Sequence, residues 1–206
     1  MIGLSCYILA DTFFIAKALG ITGIAALNFS ISIYSMIHGI GLMLGIGGAT
    51  RYSILKSQKE DIKANVVFTT CLKLGVIIGV LFAFIGIFGS RNLAVILGAD
   101  KTTLPLTETY LTTILCFTPF FIINNILITF VRNDHNPNLA MAAMLTGSFS
   151  NIILDYIFMF PLRLGMFGAA FATSLAPIIS IGILLLHFRK GKSQFRYIFC
   201  RINWAY

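Results

Sequence analysis

Apolar and polar positions along the chain alternate in blocks rather than residue by residue. Residues 21–50, 109–131 and 164–188 contain no Asp, Glu, Lys or Arg, and residues 66–89 contain only Lys73. Each block exceeds the ~20 helical residues that cross ~30 Å of hydrocarbon. A segment with no water around it must satisfy its backbone internally, so helices are predicted; the period-two alternation of a membrane barrel is absent. The blocks define six spans, roughly 1–17, 21–50, 66–89, 105–131, 138–160 and 164–188. The expected fold is an all-α integral membrane bundle of six transmembrane helices over residues 1–188, followed by a basic tail, 189–206.

Punctuation within the blocks sharpens this. Pro105 opens the fourth span, where a missing N–H costs little. Pro119 and Pro177 lie inside spans and should kink them. "NDHNP" (133–137) reads as a turn. Gly41 and Gly45 are four apart in the second span, so another helix can approach that face closely. The first span is short: 16 residues precede Lys17, about 24 Å at helical rise, with no polar anchor before them. The chain is expected to begin partway through a helix, and further sequence is expected beyond both ends.

Composition agrees with the membrane assignment: 58% of residues are hydrophobic and 11% charged, against roughly 45–50% and 25% in soluble domains. The net charge of +8 raises nucleic acid as a partner, but its distribution points elsewhere. Ten basic residues fall in or beside 51–63, 132 and 189–201, and four in the opposite connections (Lys17, Arg91, Lys101 and Arg163). That is the positive-inside bias of a multi-pass protein with both termini cytoplasmic. No basic stripe is interleaved with aromatics, so nucleic acid is excluded as a partner. Cys6, Cys71 and Cys116 lie in apolar runs and Cys200 in the tail, without metal-ligand spacing.

The run "SNIILDYIFMF" (150–160) sets Asp155 among apolar residues. With 51–63 and 132–137 cytoplasmic, the fifth span runs outward and Asp155 lies about 8 Å below its outer end. Asp11 falls about 9 Å below the same surface and Thr173 about 12–14 Å; Asn151 is one turn from Asp155 on the same face. Two carboxylates, an amide and a hydroxyl thus share a depth on three helices. Oxygen groups converging at low dielectric suit a hard cation such as Na⁺. They equally suit a proton, since neighbouring carboxylates resist both being ionised. The structural alternative is an Asp155 that caps or snorkels at the interface, although intramembrane ionisable groups are usually functional.

Other polar groups carry less. Lys73 should snorkel, and Glu108 suits a helix N-terminus. His38 is either a proton carrier or a packed, hydrogen-bonded ring. Asn124, Asn125, Phe120 and Tyr34 are candidates for a substrate path, against helix gluing and lipid contact. No nucleophile–base pair or phosphate loop is present, so no enzyme activity is expected, and no cofactor beyond a coupling ion.

Taken in order, "ADTFFIAKALG", "GIGGATRYSI", "LGAD", "FVRNDHNPNLAMAAM", "NIILD" and "GAAFATSLAP" resemble the multidrug and toxic compound extrusion (MATE) transporters over nearly the whole chain to about residue 188. His135 stands where that family's turn is expected to carry glycine. The resemblance implies one lobe of a two-lobed exporter, alternating access, and an amino-terminal cation site mapping onto Asp11, Asn151, Asp155 and Thr173. The function it implies is Na⁺- or H⁺-coupled export of cationic amphipathic compounds from a bacterial plasma membrane. The bilayer, small organic cations and a second lobe or second copy are the expected partners. The alternatives are a flippase for lipid-linked precursors and a non-transporting fragment.

Overall fold

The computed structural model describes residues 2–134 and 136–189; His135 and the tail from residue 190 lie outside the described residues. Six helices are assigned: α1 (Ile2–Ser57), α2 (Asp61–Ile96), α3 (Leu104–Cys116), α4 (Thr118–Asn133), α5 (Pro137–Met159) and α6 (Gly165–Arg189). No strand occurs among the described residues.

The six predicted spans map onto these helices with two differences of division. Spans one and two are joined in α1, interrupted at Gly20, where φ is 67° and ψ −153°. A Cβ is disfavoured at that φ, so glycine takes the corner. Contacts fix the directions. Leu19 lies near Gly165, at the loop into α6, while Asn133 Nδ2 donates to the Ala49 carbonyl at 2.9 Å and to Ser53 Oγ. The second half of α1 therefore runs from the Gly165 end of the bundle to the Asn133 end.

Span four is broken rather than bent: α3 and α4 meet at 51° around Phe117. Pro119, in the first turn of α4, has no N–H to give and cannot continue α3. Thr118 Oγ1 donates to the Ile114 carbonyl at 3.2 Å, covering part of the backbone freed there. Pro177, by contrast, leaves α6 assigned as one helix.

Small residues set the helix spacing. At Gly41 an added Cβ would lie 2.9 Å from Asn125 Nδ2, and at Gly45 3.1 Å from the Asn125 carbonyl, so the predicted close approach is made by α4 from within the bundle. A second stripe escaped the sequence reading: on α2, Gly75 faces Ile126, Gly79 faces Pro119 and Gly86 faces Leu115. This stripe lets α2 lie along the broken α3–α4 pair. Gly147 of α5 admits the Ala176 carbonyl of α6.

The ends are closed locally. Gly98 (φ 96°) terminates α2 with bonds from Gly98 N–H to the Val95 carbonyl and from Ala99 N–H to the Ala94 carbonyl, both 3.0 Å. That is the paired Schellman closure. Asp100 then accepts from the Thr103 N–H at 2.9 Å and hydroxyl at 2.8 Å, and from the Thr102 hydroxyl at 2.8 Å. These donors hold the exposed Asp100 carboxyl down at about 2. Asn136 caps α5 by accepting from the Leu139 N–H at 3.4 Å, with Pro137 beginning the helix. The outer face of α2 exposes Leu81, Phe84 and Phe88, as a lipid-facing helix should.

Candidate cation site and internal cavity

The first half of α1 and the C-terminal end of α5 are held together by aromatic contacts. The Phe14 ring centroid lies 6.0 Å from Phe160 and 6.3 Å from Tyr156, and Lys17 Nζ sits 5.8 Å over the Phe160 ring. Asp11, one turn before Phe14, and Asp155, beside Tyr156, therefore belong to the same layer. They are 4% and 0% exposed. Asn151 and Thr173, also buried, complete the layer from α5 and α6.

Asn151 decides how these groups connect. Its amide stands with Nδ2 3.3 Å from Thr173 Oγ1. Turned over, it donates to Asp155 Oδ2 at 3.3 Å while its oxygen accepts from the Thr173 N–H at 3.2 Å. The second orientation satisfies both ends, and amide orientation is properly assigned from such a network. It leaves Oδ1 of Asp11 and Oδ1 of Asp155 buried without a partner. Orphaned acceptors of this kind call for a ligand or a proton. Every candidate donor atom is oxygen, which suits a hard monovalent cation. Among the described residues no cluster of three or more His, Cys, Asp or Glu could hold a metal; the layer offers two carboxylates and neutral oxygens.

The four residues singled out for the cation thus fall in one layer, and Tyr110 of α3 is buried near them, 4% exposed. The sequence held a signal for Tyr110 that went unused. It lies five residues beyond Pro105, about 8 Å deep at helical rise, the depth of Asp155.

A cavity of about 100 Å³ borders this layer, lined by residues that include Tyr34, His38, Asn124, Asn125, Asn151 and Thr173. Three of the four substrate-path candidates line it. Phe120 does not: it is 39% exposed and lies against Phe117, 6.0 Å between centroids, while Phe121 takes the cavity wall. Consecutive helical residues point about 100° apart, and where α4 restarts at Thr118 decides that Phe121, not Phe120, turns to the cavity. Asn125 Nδ2 donates to the Phe121 carbonyl at 3.2 Å and lies 3.1 Å from His38 Nδ1. His38 Nδ1 is then the acceptor and its proton rests on Nε2. The ring is hydrogen-bonded, as one of the two readings had it, and stacked on Tyr34 at 6.3 Å.

The fold is an all-helical membrane bundle with two buried carboxylates near a pocket between α1, α4, α5 and α6. The MatE family profile matches residues 1–157, and the chain belongs to that family. It is 32% identical over 167 residues to multidrug export protein MepA of Staphylococcus saprophyticus, covering 81% of this chain and 37% of the relative. It is 30% identical over 168 residues to MepA of Staphylococcus aureus strain MRSA252, covering 82% and 37%. An outward-facing MATE transporter of the MOP superfamily superposes with TM-score 0.88 at 26% identity, over 97% of this chain and 44% of that one. The MATE multidrug transporter DinF-BH, solved as a ligand complex, gives 0.87 at 29%, over 97% and 45%. A Pyrococcus furiosus MOP transporter whose reversed pocket polarity suggests a different function gives 0.88 at 27%, over 97% and 44%. The chain spans well under half the length of the relatives it matches, and its fold is that of their amino-terminal six-helix lobe.

Proposed function

We propose that this bundle is the amino-terminal lobe of a Na⁺- or H⁺-coupled antiporter that exports cationic amphipathic compounds across a bacterial cell membrane. The observation that carries the reading is the pair of buried aspartates, Asp11 and Asp155, each with one carboxylate oxygen unpartnered beside Asn151 and Thr173. Two carboxylates buried together are stabilised by a bound cation, or by a proton, and an effector that binds one conformation better shifts the population toward it. The MepA relatives are named multidrug export proteins, which supports export as the direction. A second lobe or a second copy supplies the other wall of the path, and the distribution of basic connections supports cytoplasmic termini.

The test is Asp155→Asn, measured as ²²Na⁺ binding to the purified chain in lipid nanodiscs. Asn keeps the shape and the oxygen facing Asn151, so the fold is retained, but removes one charge. A unit charge at ~4 Å and an effective dielectric of ~20 is worth about 4 kcal/mol; with part of this offset by desolvation, Na⁺ affinity falls at least ~100-fold. Unchanged Na⁺ affinity together with unchanged pH dependence in the variant refutes the assignment.

A further inference from the structure

A groove of about 200 Å³ lies between the second half of α1 and the first half of α2, and it shares no lining residue with the cavity beside the aspartates. Its walls include Gly47, Gly48 and Arg51 on α1 and Thr70, Cys71 and Leu74 on α2. At Gly48 the two helices touch, since an added Cβ would lie 2.4 Å from Cys71 Sγ. At Gly47 the groove is open, with nothing within 4 Å of an added Cβ.

The groove is basic at one end and apolar along the rest. Arg51 is the first charged residue after the uncharged block 21–50, so it stands where α1 leaves the hydrocarbon. Leu74 lies eight residues inside the apolar block that begins at residue 66, about 12 Å at helical rise. Steps of three and four residues from Leu74 follow one face of α2. They reach Ile77, Leu81, Phe84 and Phe88, which are 54%, 60%, 59% and 80% exposed. The α2 wall thus continues outward as a strip of large apolar side chains.

The charge of Arg51 is not spent within the bundle. The ion pairs at this end are Lys56–Asp61 at 2.7 Å and Lys63–Glu60 at 2.8 Å, and among the described residues Arg51 has no partner. Thr70 leaves a second donor uncommitted: its Oγ1 is buried without a partner, whereas the Thr69 hydroxyl donates to the Asn65 carbonyl at 2.9 Å.

We propose that this groove holds one anionic phospholipid, with its phosphate on the Arg51 guanidinium and an acyl chain along the Leu74 face of α2 toward Leu81 and Phe84. A planar guanidinium matches phosphate oxygens in a way that a point charge does not, and basic pockets between transmembrane helices take anionic headgroups. The competing occupant is a protein surface; an unpaired arginine above an uninterrupted apolar strip matches a lipid's own order of polarity. The lipid comes from the leaflet at the α1–α2 connection, the cytoplasmic one under the topology proposed above. Binding depends neither on that topology nor on the aspartates.

Native mass spectrometry of the purified chain, titrated with phosphatidylglycerol and separately with phosphatidylcholine, reads the affinity for the first lipid bound. Arg51→Gln should weaken phosphatidylglycerol about fivefold, the ~1 kcal/mol of one basic residue at an anionic surface, and leave phosphatidylcholine within twofold. Gly47→Leu keeps the charge but fills the open groove, and should weaken both lipids at least fivefold. Lys59→Gln removes an exposed charge of the same connection outside the groove and should change neither more than twofold. Equal losses in Lys59→Gln and Arg51→Gln, or parental binding by Gly47→Leu, would reduce the effect to general surface charge and overturn the site. Displacement of phosphatidylglycerol by millimolar inorganic phosphate would overturn the lipid as occupant. So would variants that lose a dimer of the chain while binding lipid as the parent does.

Discussion

Gly79 offers the sharpest test of how the bundle holds its broken helix. A Cβ built there would lie 2.5 Å from Pro119 Cα, 2.8 Å from Pro119 N and 3.0 Å from Pro119 Cβ. Ordinary contact begins near 3.4 Å, so Gly79→Ala falls about 0.9 Å short. The atoms it meets are proline backbone at the α3–α4 break, not the end of a flexible side chain. Relief requires α2 and α4 to separate, and overpacking of this kind costs typically 1–3 kcal/mol. Gly39→Ala is the matched control, since nothing lies within 4 Å of its Cβ and alanine gains up to ~1 kcal/mol of helix propensity. At roughly 2–4 °C per kcal/mol for a chain of this size, thermal unfolding in detergent should place Gly79→Ala several degrees below the parent. Gly39→Ala should melt at or above it. If the two variants melt together, the close passage of α2 over Pro119 is wrong.

Two further outcomes are expected. A cysteine introduced at Gln58, in the connection between α1 and α2, should be labelled only from the cytoplasmic side, and labelling in intact cells by an impermeant reagent would reverse the topology. The 206-residue chain reconstituted in liposomes should bind Na⁺ yet fail to move a fluorescent organic cation down an imposed gradient, because alternating access requires a second lobe to rock against. Gradient-dependent movement abolished by Asp155→Asn would show that the lobe transports by itself.

Hydropathy alone determined that the chain is a helical membrane bundle with six crossings, because a backbone in hydrocarbon has few ways to satisfy itself. Helical rise places Asp11, Asn151, Asp155 and Thr173 at one level from the sequence alone, and all four are buried in the bundle. What required the tertiary structure was rotation about each helix axis. Phe121 lines the cavity and Phe120 does not because the chain restarts after Phe117 with a 51° change of direction, and apolar residues facing lipid look the same as those facing a neighbour. The glycine stripe of α2 was likewise unreadable, because its meaning depends on Pro119 lying opposite. The cavity lined from Asn151 and Thr173 to Ser180 exists only where α4, α5 and α6 pack side by side. Span by span, Asn124 and Ser180 are ordinary polar residues; the fold leaves them facing a cavity with nothing to accept from.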